Sequence, residues 1–241
     1  MIVLFTDFGA NDIYVAQVKA ALLQHAPEQQ VIADLLHTVP NFQAKPAAHL
    51  LAALKDFFPA GSVFLCIVDA GVGSERDAVI VFAHQRFFVG PDNGLLSVLA
   101  QRDSQAKFWR IKWRPENLSN TFHGRDLFAP IAAWVADGKF PTDKVETVKS
   151  LKVNFDADDL AEIIYIDHYG NAVTGLRKGK AARNAKLKVK QQSLPYAETF
   201  ASVKHGAGFW HENSMGLIEI SANQDSAERL FGLCVGDSVT I

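Results

Sequence analysis

The chain has 241 residues, of which 49 % are hydrophobic and 21 % charged, and its formal net charge is −2. These values are typical of a globular protein with a sizeable core, and the length allows one large domain or two small ones. The weak net charge argues against nucleic acid or an acidic membrane surface as a partner. The first residues carry no basic leader and no apolar run long enough for a signal or a span, so we expect a cytoplasmic protein.

Strand-like and helical patterns alternate through the first 150 residues. Short apolar runs predict strands, and apolar residues spaced three or four apart predict helices. The alternation predicts an α/β domain with a largely parallel sheet flanked by helices, and Asp12 is a candidate N-cap of the first helix. The predicted strands are 2–5, 31–36, 63–68, 78–83, 86–89 and 108–113, and the predicted helices are 15–25, 44–58, 95–100 and 127–136.

The pattern changes near residue 150, where short β-rich runs separated by turns replace the long helices. Such regular short strands predict a small β-barrel or sandwich. We therefore expect an α/β domain over 1–150 and a small β-barrel domain over 151–241. The predicted strands are 162–167, 185–189, 208–210, 217–221 and 238–241, with a short helix at 226–231.

The stretch 63–76 organises the first domain. Its unbroken apolar run predicts a strand buried on both faces, and the run ends in Asp69, with Arg76 following after a small-residue loop. Ligands of open α/β sheets bind outside the carboxyl ends of the strands, so Asp69 is a candidate ligand contact. The alternative is that Asp69 only caps its loop. The two cysteines, Cys66 and Cys234, have no metal-ligand spacing and are predicted to be small core residues.

Other polar residues lie at the same predicted sheet edge. Asp7 follows the first strand, and His123 precedes a helix, where it is either a functional group or a cap or core histidine. Asp92, within Pro-Asp-Asn-Gly, is better interpreted as a turn residue. Arg125 and Asp126 are interpreted as a local ion pair at a helix start.

Six short motifs spread over nearly the whole chain form an ordered set. Together they resemble the S-adenosylmethionine (SAM) hydroxide adenosyltransferases, or SAM hydrolases, which are relatives of the SAM-dependent fluorinase and chlorinase. The motifs are Thr6-Asp7-Phe8-Gly9, Val68-Asp69-Ala70-Gly71-Val72-Gly73, Pro91-Asp92-Asn93-Gly94, Phe122-His123-Gly124-Arg125-Asp126, Ile166-Asp167-His168-Tyr169-Gly170-Asn171 and Asn213-Ser214-Met215-Gly216.

The resemblance implies an N-terminal α/β domain and a C-terminal β-barrel, assembled as a homotrimer that binds substrate between the N-terminal domain of one subunit and the C-terminal domain of its neighbour. The implied reaction converts SAM and water into adenosine and L-methionine without a cofactor or metal. Asp69, Arg76 and His123 match the positions that handle the water. The halogenases differ at the Asp and His positions, so the resemblance favours hydroxide over halide as nucleophile.

The remaining matches are implied substrate-binding positions. They are Asp7 for the ribose diol, Asp12 and Asp167 for the methionine ammonium, Asn171 for the adenine edge, Ser214 for the methionine carboxylate, and Phe42 and Phe122 as walls. The sequence also departs from the family pattern. Ala70 stands where proline is usual, His168-Tyr169 replaces an acidic-Phe pair, and Met215 stands where halogenases have an arginine.

Three alternative functions stay open on sequence grounds. A SAM-dependent 5′-halogenase would form 5′-chloroadenosine in high chloride. A metal-dependent hydrolase would use Asp7, Asp69, Asp92 and His123 around a cation. A non-catalytic nucleoside-binding module would bind adenosine without turnover.

Overall fold

The structure, a computed structural model, describes residues 1–26 and 30–241. The chain divides into two compact units, which we call the N-terminal unit (residues 1–51 and 55–157) and the C-terminal unit (residues 52–54 and 158–241). Among the described residues, no helix has both the length and the apolar character needed to cross a membrane.

The N-terminal unit is built on a seven-stranded sheet of order β2-β1-β3-β5-β4-β6-β7. Neighbours among β2, β1, β3 and β5 pair in parallel, whereas the β5–β4, β4–β6 and β6–β7 pairs are antiparallel. The strands are β1 (Ile2–Thr6), β2 (Ile32–Leu36), β3 (Val63–Ile67), β4 (Ala78–Ala83), β5 (Arg86–Pro91), β6 (Lys107–Ile111) and β7 (Val145–Val148).

The prediction of a largely parallel sheet was wrong, because the sheet is mixed. The reason lies in the hairpin between β4 and β5. Its two turn residues, His84 and Gln85, have φ values of 50° and 61°, which is the left-handed geometry of a two-residue hairpin turn. Such a turn can join only antiparallel strands. The two strands pair from Ala78 with Pro91 to Ala83 with Arg86.

The helices of this unit follow the predicted order. They are α1 (Ile13–His25), α2 (Ala44–Leu54), α3 (Ser97–Gln101) and α4 (Ala129–Ala136). Asp12 is the N-cap of α1, and its Oδ1 accepts the Ile13 N–H at 2.6 Å, as predicted. A 3₁₀ turn, Lys55–Phe57, follows α2, and a π-helical turn, Gly124–Phe128, leads into α4.

Strand β3 is buried along its whole length, which confirms the prediction of a strand covered on both faces. On one face, Leu65 and Ile67 share a core cluster with Val18 of α1 and Ile131 of α4. Cys66 is fully buried, and this burial raises the pKa of its thiol. Strand β3 is therefore rigid up to its end, close to Asp69.

The C-terminal unit consists of two antiparallel sheets, β12-β13-β9-β8 and β11-β10-β14, and neither closes on itself within the described residues. Trp210 and Ile220 lie in its core. Cys234 is exposed, so its prediction as a core residue was wrong. The elements are β8 (Leu160–Ile166), β9 (Ala172–Arg177), β10 (Leu187–Val189), β11 (Gln192–Leu194), β12 (Gly208–Glu212), β13 (Leu217–Ala222), α5 (Ala227–Phe231) and β14 (Val239–Thr240).

Asp92 has a structural role, although its side chain bonds a distant segment and not the turn in which it was predicted to lie. It is 5 % exposed and lies directly after β5. Its carboxylate accepts the Lys152 N–H at 2.9 Å and the Val153 N–H at 3.3 Å. The carboxylate thus holds the segment that follows β7 against the end of β5.

We expect Asp92→Ala to lower the free energy of unfolding by about 2–4 kcal/mol, because two partly buried amides lose a charged acceptor. The matched control is Asp143→Ala, since Asp143 is highly exposed and forms an ion pair with its neighbour Lys144; it should change stability by less than about 0.5 kcal/mol. Urea titration followed by tryptophan fluorescence measures both. Equal stability of the two variants would contradict the structural role of Asp92.

Candidate active site

A bidentate ion pair lies just beyond the end of β3. Arg76 Nε donates to Asp69 Oδ1 at 2.7 Å, and Arg76 Nη2 donates to Asp69 Oδ2. The two side chains are 9 % and 5 % exposed, respectively. A fork of two parallel N–H···O bonds fixes the plane of a carboxylate as well as its charge. Asp69 is therefore held in one orientation.

His123 joins this pair from a different part of the chain. Arg76 Nη2 lies 3.1 Å from His123 Nδ1, and His123 is only 7 % exposed. Because a guanidinium can only donate, Nδ1 acts as the acceptor and the ring proton sits on Nε2. Burial, followed by the nearby charge of Arg76, lowers the pKa of His123 below its usual value. The imidazole is thus kept neutral, with one N–H left to donate.

Two local features bring the loop before His123 against the loop after β3. Gly73 has φ +79°, and a Cβ there would lie 2.5 Å from the carbonyl oxygen of Asn120. Only glycine allows both that backbone conformation and that approach. The π-helical turn begins directly after His123, and π turns occur preferentially at functional sites.

A cavity of about 420 Å³ opens beside Asp69 and His123, within the range of small-molecule sites. Phe8, Tyr14 and Phe122 form one wall, with centroids 5.3–6.1 Å apart; Phe122 makes edge contacts with both other rings, which are tilted against each other. The chemistry-bearing residues around the cavity are three acids, one imidazole and four rings: Asp7, Asp12, Asp69, His123, Phe8, Tyr14, Phe42 and Phe122.

Asp7 and Phe42 are coupled on another wall of this cavity. The Phe42 N–H donates to Asp7 Oδ2 at 3.1 Å, and Phe42 adopts φ 62° while its ring is 73 % exposed. Left-handed backbone is uncommon for a bulky residue and requires support from its surroundings. Burial is the largest influence on Asp7 and raises its pKa.

The N-terminal unit brings together most of the predicted site. Asp7, Asp12, Asp69, Phe42, Phe122 and His123 all line the cavity, and Arg76 lies behind Asp69. The predicted local pair also forms, with Arg125 Nε donating to Asp126 Oδ1 at 2.6 Å.

The other predicted residues lie in the C-terminal unit. Asn171 lines a cavity of about 620 Å³ there, together with Tyr169, Phe200 and Arg229. Asp167 Oδ2 accepts a hydrogen bond from Asn171 Nδ2 at 2.9 Å. Ser214 is exposed in the turn between β12 and β13. Of these three residues, Asn171 lines the cavity, whereas Asp167 bonds Asn171 and Ser214 lies outside the cavity lining.

Sequence reasoning missed several residues near the first cavity. Phe8 and Tyr14 complete its aromatic wall, and their positions beside Asp7 and Asp12 in the sequence were the available signal. His37 is 8 % exposed and lies 2.8 Å from Thr6 Oγ1. A histidine directly after a predicted strand was the only signal for it.

The acids of this sheet edge are engaged by protein groups. Asp69 is bound by Arg76, and Asp92 is bound by the amides of Lys152 and Val153. No cluster of three or more His, Cys, Asp or Glu side chains in 1–26 and 30–241 is arranged to hold a metal ion.

Two family models match the chain, one in each of its two parts. The model of the SAM hydroxide adenosyltransferase N-terminal domain matches residues 2–146, and that of the C-terminal domain matches residues 161–240. A Thermus thermophilus protein named (R)-S-adenosyl-L-methionine hydrolase is 34 % identical, over 98 % of this chain and 97 % of its own. A fluorinase from Nocardia brasiliensis is 24 % identical, over 100 % of this chain and 96 % of its own.

A solved structure shares the whole architecture. The crystal structure of an uncharacterized conserved protein from Thermotoga maritima superposes with a TM-score of 0.88 and 30 % identity, covering 99 % of this chain and 98 % of that one. The chain belongs to the SAM hydroxide adenosyltransferase family, and the resemblance seen in its motifs is confirmed.

We expect Arg76→Gln to raise the pKa of His123, because the positive charge that helps to lower it is removed while burial, the larger influence, stays. NMR titration of the His123 ring protons measures the change. Arg76→Lys is the matched control, since it keeps the positive charge and should leave the pKa of His123 nearly unchanged. An unchanged pKa in Arg76→Gln would show that the guanidinium does not act on the imidazole.

Proposed function

We propose that this protein hydrolyses SAM to adenosine and L-methionine. The single observation that carries the proposal is the Asp69–Arg76–His123 group beside a cavity of nucleoside size. Family membership supports it, as do the relatives named (R)-S-adenosyl-L-methionine hydrolase.

The reaction needs one water molecule held in line with the C5′–S bond. The water oxygen attacks the ribose 5′ carbon, the C5′–S bond breaks, and its electron pair stays on sulfur to give the neutral thioether of methionine. One proton is released from the water. Because sulfonium is already a good leaving group, the main task of the protein is positioning, which is worth about 7–11 kcal/mol in favourable cases.

Each member of the group has a proposed role in that step. The Asp69 carboxylate accepts a hydrogen bond from the water and then takes up the proton that the water loses. Arg76 fixes the carboxylate plane. His123, with Nδ1 engaged by Arg76, has Nε2–H free to donate to the same water.

The same group disfavours a halide as nucleophile. A carboxylate on the cavity wall repels a bare anion, whereas it attracts the hydrogens of water. The fluorinase relatives are also less similar to this chain than the hydrolase relatives. Water is therefore the proposed nucleophile.

The remaining walls fit the parts of SAM implied by the family resemblance. Asp7 is proposed to bind the ribose diol, and Phe42 and Phe122 to flank the nucleoside. Asp12 is proposed to bind the methionine ammonium. All four line the cavity of the N-terminal unit.

The C-terminal residues are proposed to serve a neighbouring subunit. Asn171 is assigned to the adenine edge, Asp167 to the ammonium and Ser214 to the methionine carboxylate. Exposed apolar rings lie at both cavities, with Phe42 73 % exposed at one and Tyr169 76 % exposed at the other. In the proposed assembly, a neighbouring subunit would cover these rings. We infer a homotrimer in which the two cavities of different subunits meet.

Barrel closure of the C-terminal unit is likewise a proposal. Isolated bridges join Glu162 to Ser238 and Tyr196 to Trp210, which link the two antiparallel sheets at both of their edges. Closure would remove the exposed strand edges of both sheets.

We expect purified protein with SAM in H₂¹⁸O to give adenosine labelled at the 5′ oxygen, together with unlabelled methionine. Mass spectrometry of both products measures this. Asp69→Asn should lower kcat by about 10²–10⁴-fold, the range typical of losing a group that assists proton transfer. Asp143→Asn is the matched control at an exposed site and should keep full activity.

Other products would identify the alternatives. 5′-Chloroadenosine in high chloride would indicate a halogenase, and activity abolished by chelators would indicate a metal-dependent hydrolase. Tight adenosine binding with no turnover would indicate a binding module. Each of these outcomes contradicts the proposed hydrolysis.

We expect Asp69→Asn and Asn171→Ala each to be strongly impaired alone and to regain partial activity when co-expressed. In a mixed trimer some sites combine an intact Asp69 of one subunit with an intact Asn171 of another. Activity of co-expressed, differently tagged subunits measures this, and sedimentation gives the mass. A monomer, or mixed oligomers without regained activity, would overturn the interfacial site.

A further inference from the structure

A chain of hydrogen bonds runs from the surface of the N-terminal unit to the strand end that carries Asp7. His37, which directly follows β2, is at its centre and is 8 % exposed. Its Nδ1 lies 2.8 Å from Thr6 Oγ1, and its Nε2 lies 3.0 Å from Asp34 Oδ1. Lys19 Nζ donates to Asp34 Oδ2 at 2.6 Å. We call these four residues the His37 chain.

Both ring nitrogens of His37 are hydrogen-bonded. A carboxylate can only accept, so Nε2 carries the proton that bonds to Asp34. Nδ1 makes the second hydrogen bond of the ring, with the Thr6 hydroxyl. The Thr6 oxygen also accepts the Phe8 N–H at 3.3 Å. The imidazole is therefore held at both nitrogens.

Backbone hydrogen bonds tie the same two segments together around Asp7. Gly9 N–H donates to the His37 carbonyl at 2.7 Å, and Val39 N–H donates to the Thr6 carbonyl at 3.3 Å. A few residues further on, the Phe42 N–H reaches Asp7 Oδ2. The segments 6–9 and 37–42 thus form one connected wall of the cavity.

We propose that His37 is a positioning residue, acting through Thr6 to hold Asp7 and Phe42 where they bind the ribose of the substrate. The proposal rests on the proposed function. His37 does not line the cavity, and within residues 1–26 and 30–241 its side chain bonds Thr6 and Asp34 and not the Asp69–Arg76–His123 group. Its loss should therefore weaken nucleoside binding without slowing the chemical step at saturation.

Two variants of His37 separate its two hydrogen bonds. In His37→Asn the amide oxygen takes the approximate place of Nδ1 and keeps the Thr6 contact. In His37→Gln the amide nitrogen takes the approximate place of Nε2 and keeps only the Asp34 contact. We expect His37→Gln to raise KM for SAM and Kd for adenosine about tenfold, the effect of one lost buried hydrogen bond. We expect kcat to be unchanged, as for a loss of uniform binding.

Two substitutions of Thr6 provide an independent test if a His37 variant folds poorly. Thr6→Val removes the hydroxyl at nearly constant volume and should weaken adenosine binding as His37→Gln does. Thr6→Ser keeps the hydroxyl and should bind adenosine as the wild type does. His84→Gln is the matched control, because half-buried His84 bonds the Leu99 carbonyl at the far end of β4. It should leave both constants unchanged.

The results distinguish this inference from the proposed function. Wild-type turnover with equal KM and Kd in His37→Asn, His37→Gln and Thr6→Val would overturn the role of His37 and leave SAM hydrolysis standing. A fall in kcat without a change in KM would also overturn it. Adenosine binding is measured by calorimetry without turnover, and a wild-type protein that binds no adenosine would overturn both proposals.

Discussion

The site depends on one interaction, the bidentate ion pair between Asp69 and Arg76. Two buried charges are tolerated only when each has a partner and good geometry, and removing one of them leaves the other uncompensated. The guanidinium meets this requirement and also bonds His123 Nδ1. A single arginine thereby sets the orientation of the carboxylate and the tautomer of the imidazole, and it adds to burial in lowering the pKa of His123.

The surrounding backbone brings Asp69, Arg76 and His123 together. Strand β3 is buried on both faces, which gives Asp69 a rigid origin. Gly73 lets the loop after β3 approach Asn120, and the π-helical turn starts the next helix directly beyond His123. Groups that lie far apart in the sequence therefore meet with little freedom, which is the condition for aiming a water molecule.

Much of the N-terminal unit could be predicted because its signals are local. The buried run of β3 and the N-cap at Asp12 are patterns of neighbouring residues, and both were confirmed. The mixed sheet was missed because strand direction depends on turn geometry, here at His84 and Gln85, which propensity does not reveal. The His37 chain was missed because its contact between Thr6 and His37 joins residues 31 positions apart in the sequence. The pattern of short β-rich runs also does not show whether small antiparallel sheets close into a barrel.

The most direct test is a crystal structure with an unreactive SAM analogue that carries carbon in place of sulfur. We expect one ordered water within about 3 Å of the Asp69 carboxylate and of His123, opposite the leaving group at the 5′ carbon. An analogue bound with its 5′ carbon remote from Asp69, or a nucleoside packed there with no room for water, would contradict the role given to the Asp69–Arg76–His123 group.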